Sequence, residues 1–212
     1  SNGALYNSSS TAVTYSGAIT LAADTSIKGG TSALTLSGAI NGAYALDIAT
    51  SNANFMQSGA VGTTAAPVGY SIHTGTGSVT LGAATMVAGA VGINGSAITL
   101  NGPLTASGGN TITLQSTGTV IAGAGGYLSA NQLLLSGGNV TLTNASTAVT
   151  WVSAVTATIN ATVVSASDRT TYMLTAVSYN EGDSWSALYP VGITTPVSRP
   201  YIVNGGDQLG TK

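Results

Sequence analysis

The chain has 212 residues, of which only four are basic and six are acidic, and its formal net charge is −2. Charged residues make up 5% of the chain, against about 25% in an average globular domain. Four basic residues cannot form the electropositive stripe that nucleic acid requires, so a nucleic-acid partner is excluded.

The charges are unevenly placed, because residues 48–167 contain no formal charge. A hydrophobic content of 43% argues against a disordered chain. The most apolar stretch, 148–164, is interrupted by Thr, Ser and Asn, so we expect no membrane insertion. The chain has no Cys, which excludes disulfides and thiolate metal sites.

Residues 1–16 precede any repeat. They place apolar and aromatic side chains around a run of Ser and Thr, which predicts an extended arm or a first edge strand. The side chains that could anchor such an arm on another chain are Leu5, Tyr6, Val13 and Tyr15.

A short phrase then recurs, consisting of an apolar residue, Thr and Leu. Its copies are Ile19-Thr20-Leu21, Leu34-Thr35-Leu36, Val79-Thr80-Leu81, Ile98-Thr99-Leu100, Ile112-Thr113-Leu114 and Val140-Thr141-Leu142. Each phrase alternates apolar and polar positions, as a strand with one buried face does. Turn residues such as Asn-Gly and Gly-Gly bracket the phrases, and helix-favouring residues are scarce.

Short strands with frequent turns are compatible with a sandwich, a barrel or a solenoid. The repeated phrase and the small residues at its corners favour an all-β parallel β-helix, or β-solenoid, over residues 17–165. The gaps between the leucines are irregular, which indicates coils of variable length near 15 to 20 residues. The apolar positions of each phrase should face inward and the Thr positions outward.

Two segments, Gly95–Leu104 and Tyr127–Ala145, resemble the repeat region of filamentous-haemagglutinin-like exoproteins. The resemblance extends over about residues 18–148 and rests on the style of the phrase. It implies a right-handed β-helix of a bacterial adhesin, secreted to the cell surface by two-partner secretion.

The last segment, 166–212, differs because the charges return and Pro and aromatic residues appear. We predict that it is a cap or docking segment, since the ends of a solenoid expose apolar rims.

No catalytic template fits the chain, so we expect no enzyme and no cofactor. His73 is the only histidine, and there is no G-x-S-x-G elbow. Asp24 and Asp47 could meet on neighbouring coils, but two surface carboxylates are the simpler interpretation. Turns near Glu181, Asp183 and Asp207 offer oxygen ligands that calcium prefers, although ordinary Asx-Gly turns have the same composition. We predict no metal site.

These observations predict an extracellular structural or adhesive surface protein. Its partners would be other copies of itself, joined head-to-tail into a filament, or a ligand on a host or cell surface. The alternative is an ice- or glycan-binding module that uses arrays of Thr. Its candidate T-x-T pairs are Thr74 and Thr76, Thr111 and Thr113, Thr141 and Thr143, and Thr156 and Thr158.

Overall fold

A computed structural model describes residues 3–164, 171–177 and 189–190, with side-chain surroundings for residues 3–154. Within these residues the chain is all β, and none of it forms a helix that could cross a membrane. The strands in chain order are β1 Leu5–Tyr6, β2 Val13–Tyr15, β3 Ile19–Thr20, β4 Thr25–Gly30, β5 Leu34–Leu36, β6 Ile40–Asn41, β7 Ala45–Thr50, β8 Phe55–Gln57, β9 Gly69–His73, β10 Val79–Leu81, β11 Thr85–Val87, β12 Ala90–Gly95, β13 Ile98–Leu100, β14 Leu104–Ala106, β15 Thr111–Ser116, β16 Thr119–Ala122, β17 Leu128–Leu142, β18 Ala148–Val164, β19 Thr171–Val177 and β20 Tyr189–Pro190.

The strands stack in parallel as a β-solenoid of about seven turns, which confirms the predicted fold. Each coil contributes a segment to each of three faces. Face A contains β1, β4, β7, β9, β12, β15 and the middle of β17. Face B contains β2, β5, β8, β10, β13, β16 and the end of β17. Face C contains β3, β6, a bridge at Val61, β11, β14 and the start of β17. The long strand β18 follows β17 through the corners.

The register explains the irregular spacing of the repeated phrase. Paired residues on neighbouring coils lie 21 positions apart at Ile27 and Ile48, and 19 apart at Val79 and Ile98. The phrases occupy different faces, since Ile19 lies on face C, Ile112 on face A and the other four copies on face B. The gaps between the leucines therefore differ in kind. Some span whole coils on one face, and others include the step from one face to the next.

The core consists of inward columns that run along the solenoid axis. One such column passes through every coil on face A and contains Leu5, Ile27, Ile48, Ile72, Ile93, Leu114, Leu135 and Ala154. From Ile27 to Leu135 these side chains are at most 3% exposed. Burial of each Ile or Leu stabilises the fold by about 1.5–3 kcal/mol. The prediction that the apolar residues of the phrase face inward is confirmed.

Corner side chains connect one coil to the next. Asn52, at a positive φ of 63°, accepts a 3.1 Å hydrogen bond through Oδ1 from the amide of Thr76. Asn54 Oδ1 likewise accepts a 2.9 Å bond from the amide of Ser78. The Asn side chains therefore satisfy amides of the following coil at positions where the strand ladder is interrupted.

A column of glycines brings the backbones of another corner close together. A Cβ placed on Gly38 would lie 1.9 Å from the carbonyl oxygen of Gly17, and one on Gly59 would lie 2.0 Å from that of Gly38. Only Gly fits this approach. By contrast, a Cβ on Gly92, on the outer side of face A, would meet nothing within 4 Å.

The two ends of the described solenoid differ. Residues 1–16 contribute β1 and β2, which pair in parallel with β4 and β5 as part of the first coil. In segment 166–212, β19 pairs antiparallel with residues 158–164 of β18, and β20 pairs antiparallel with β19. The other residues of that segment lie outside the described residues.

Candidate functional site: the open first coil

The first coil ends the stack of strands. Among the described pairings, β1 joins only β4, β2 joins only β5, and β3 joins only β6. Each of these strands therefore has one edge with no described partner. A free edge of this kind is a template for another strand.

The hydrogen bonds of β2 show which groups lie at its open edge. The Val13 amide donates to the carbonyl of Ala33 at 3.0 Å, and the carbonyl of Tyr15 accepts from the amide of Ser37 at 2.9 Å. Because peptide groups alternate sides along a strand, the N–H and C=O of Thr14 face away from the second coil. Thr14 is exposed and therefore presents one donor and one acceptor at the edge.

Beside this edge the core opens into a cleft of about 480 Å³. Its lining is mainly apolar and includes Leu5, Tyr15, Ile19, Leu21 and Ile27. In the body of the solenoid the corresponding inward positions are covered by a coil on each side. Here one of those coils is missing among the described residues, so the cleft is the uncovered end of the core.

The structure brings two of the four predicted anchor residues to this cleft. Leu5 and Tyr15 line it, and Tyr15 remains 38% exposed although its register partner, Leu36, points inward. Val13 occupies the other inward position of β2 and is 37% exposed. Tyr6 lies instead on the outer side of face A, in register with Lys28.

Sequence reasoning missed Thr14 and the far wall of the cleft. Ile19 and Leu21 form that wall, and they belong to the first copy of the repeated phrase. The register between coils was needed to find this position, because the phrase has the same pattern at the end of the described stack as in its middle.

The carboxyl end offers a different surface. The start of β18 carries Trp151, which is 67% exposed, and Val152, which is 45% exposed although its register partner Leu133 is fully buried. Further along β18, β19 occupies the position on face B where a parallel coil would otherwise continue. Within the described residues, face B is thus covered by β19 at this end, and β2 has a free edge at the other.

The charged groups of the described residues gather on face A near the first coils. His73 Nε2 lies 3.8 Å from Asp47 Oδ1, and the hydroxyl of Ser26 donates to Asp47 Oδ2 at 3.4 Å. Asp24 Oδ1 accepts a 2.9 Å bond from the amide of Ala45. The two carboxylates are engaged by different partners.

His73 is the last residue of β9, and its side chain is 61% exposed. The pair that it forms with Asp47 is a surface contact worth at most about 1 kcal/mol. Among the described residues, no three His, Cys, Asp or Glu side chains lie close enough together to hold a metal ion. The calcium candidates Glu181, Asp183 and Asp207 lie outside the described residues.

The candidate Thr pairs do not share one surface. Thr74 is fully buried, and its hydroxyl donates to the carbonyl of Gly77 at 2.7 Å. Thr111 and Thr113 lie on face A, whereas Thr141 lies on face B. The side chains of Thr156 and Thr158 lie outside the described ones.

Comparisons with known proteins give no family. No protein-family model matches the chain, no curated protein matches it, and no solved structure matches it.

Proposed function

We propose that this protein is an extracellular structural and adhesive surface protein, a rod that presents its flank to other surfaces and associates through its first coil. The observation that carries the proposal is the stack of parallel coils that shares one inward column from Leu5 to Ala154. With strands about 4.8 Å apart, seven coils form a rod roughly 35 Å long. The interior of such a stack is filled by its core, so its binding surfaces lie on its sides and at its ends.

The flank of the rod supports the adhesive part. On face B the outward column contains half-buried Thr80 and Thr99, together with Met56 and Ile121, which are 41% and 40% exposed. Because residues 48–167 carry no formal charge, this flank offers hydroxyl and apolar contacts with no like-charge repulsion. A neutral surface of this kind suits contact with a host or cell surface.

The resemblance of the repeated phrase to filamentous-haemagglutinin-like exoproteins supports the setting. The parallel solenoid is compatible with a β-helical exoprotein. We include export by two-partner secretion and a cell-surface location in the proposal. Protease treatment of intact producing cells tests the location: a surface protein is digested, whereas an internal one is spared.

Adhesion is tested with beads coated with the purified protein and presented to cells. We expect the beads to attach more than albumin-coated beads do. The triple variant Thr80→Glu/Thr99→Glu/Thr141→Glu should reduce attachment, because it places charge along the face B column. The matched variant with Ser at the same three positions keeps the hydroxyls and should attach normally. Attachment no greater than that of albumin-coated beads would contradict the proposal.

A further inference from the structure

We propose that two copies of this chain join at their first coils, with the two β2 strands pairing antiparallel about a two-fold axis at Thr14. The inference rests on the proposed association through the first coil, and it names the partner and the geometry. The resulting particle is a closed dimer whose two rods point in opposite directions.

The free edge of β2 has the groups that such a two-fold contact needs. Val13 and Tyr15 are bonded to the second coil, so Thr14 supplies the outward N–H and C=O. In an antiparallel sheet, two residues that lie opposite each other in a hydrogen-bonded pair exchange both bonds. Thr14 and the partner's Thr14 can therefore satisfy one another completely, and face B continues from one copy into the next.

The same axis also covers the apolar rims. A two-fold axis perpendicular to face B exchanges faces A and C, so the β1 rim of one copy meets the β3 rim of its partner. The β1 rim presents Leu5, and the β3 rim presents Ile19 and Leu21. Each copy thus brings an apolar wall to the open side of the other cleft. Burial of these surfaces supplies the hydrophobic contribution to association.

The carboxyl end favours this partner over a head-to-tail neighbour. In a continuous head-to-tail stack, β2 of the next copy would have to pair with residues 158–161 of β18. Those residues already pair with β19. Within the described residues, no antiparallel strand covers the first coil of a second copy on any of its three faces.

Cysteine crosslinking tests the geometry, because the native chain has no Cys. In a hydrogen-bonded antiparallel pair the two Cα atoms are about 5.5 Å apart, which lies within the range that a disulfide spans. The full chain carrying Thr14→Cys should become disulfide-linked dimer under mild oxidation. The control is Thr99→Cys, which lies in the same outward column of face B but within the body of the rod, and it should remain unlinked.

A second variant removes the bonds and leaves the fold intact. Thr14→Pro removes the outward N–H together with the exposed Thr side chain, and Pro is tolerated on edge strands. The wild-type chain should scatter light as a particle of twice its 20.6 kDa mass. Thr14→Pro should shift it to the single-chain mass, with an unchanged circular dichroism spectrum.

Other outcomes overturn the inference and separate it from the proposed function. A wild-type chain that is monomeric at millimolar concentration contradicts the dimer, and the adhesive role is then judged by the bead assay alone. Fibres that crosslink through Ala4→Cys and Ser153→Cys, but not through Thr14→Cys, show head-to-tail assembly instead.

Discussion

The phenol of Tyr70 donates a 2.9 Å hydrogen bond to Gln57 Oε1 in the interior of the solenoid, where both side chains are almost completely buried. Gln57 Nε2 in turn donates to the carbonyl of Gly59 at 2.9 Å and to Thr85 Oγ1 at 2.8 Å. On face B, Gln57 pairs with Leu36 on one side and Leu81 on the other. An internal polar chain therefore interrupts an apolar column, and its groups are hydrogen-bonded.

Removing both Tyr70 and Gln57 from this hydrogen-bonded chain should cost less than the sum of the two single losses. Tyr70→Phe leaves Gln57 Oε1 buried without its donor, and we expect a loss of about 1–3 kcal/mol in the free energy of unfolding. Gln57→Leu removes the partner of the phenol and also that of the Gly59 carbonyl and Thr85 Oγ1, so it should cost at least as much. The double variant should be more stable than the sum of the two losses predicts. Urea unfolding of the four proteins measures the coupling, and strict additivity would show that the two side chains act independently.

The stability of the protein should fall at alkaline pH because of Tyr70. Burial raises the pKa of the Tyr70 phenol well above its ordinary value of 10.0. Above pH 10 the unfolded chain releases this proton and the folded chain keeps it, so the free energy of unfolding decreases as the pH rises. One group contributes a slope of up to about 1.4 kcal/mol per pH unit, and it contributes none below that range.

The matched variant Tyr70→Phe isolates this effect, since the other tyrosines remain. Urea unfolding at a series of pH values should give a smaller decrease above pH 10 for the variant than for the parent. Equal slopes would show that Tyr70 is not buried in its neutral form.

The inward leucines should not tolerate charge. Leu100 and Leu114 are completely buried, so Leu100→Asp or Leu114→Asp would place an unpaired carboxylate between coils. We expect a loss of more than about 4 kcal/mol or failure to fold. The neighbouring Thr99→Ser and Thr113→Ser variants change outward positions and should stay within about 0.5 kcal/mol of the parent. Thermal melting followed by circular dichroism compares them, and Leu→Asp variants that melt like the parent would contradict this register.

The glycine corner gives a second matched pair. Gly38→Ala places a Cβ 1.9 Å from the carbonyl oxygen of Gly17. The backbones must then move apart, which we expect to cost about 1–3 kcal/mol. Gly92→Ala adds a Cβ in open space and should be neutral or slightly stabilising, because Gly weakens strands. Chemical denaturation of both variants measures the difference, and equal stabilities would contradict the close approach at Gly38.

The alternation within the repeated phrase was sufficient to predict the class of fold and the direction of its side chains. It could not give the coil length, because the phrase recurs on all three faces and Phe55-Met56-Gln57 takes its place in one coil. There the inward position is Gln57 and the exposed one is Met56. The polarity of these two side chains alone predicts the reverse, with Met56 inward and Gln57 exposed. The hydrogen-bond partners of Gln57 within the core explain the observed arrangement.

The open first coil was harder to predict than the fold. An apolar residue at the end of a stack has the same sequence pattern as one in the middle, so Leu5, Val13 and Tyr15 could be named without knowing which of them lines the cleft. The outward direction of the Thr14 peptide groups depends on which amides bond the second coil. That information exists only once the register between β2 and β5 is known.

The regular offset between neighbouring coils also governs how the chain reaches its folded state. Residues that pair are only about one coil apart in sequence, as at Ile93 and Leu114, so the entropy of loop closure is nearly the same for every coil. Growth can proceed by accretion of one coil at a time, as in other quasi-one-dimensional proteins. Unfolding should follow the opposite order and begin at an end coil that has a neighbouring coil on only one side. In the single-chain Thr14→Pro variant, amide hydrogen exchange should therefore be fastest in β1 and β2 and slowest around β12 and β13.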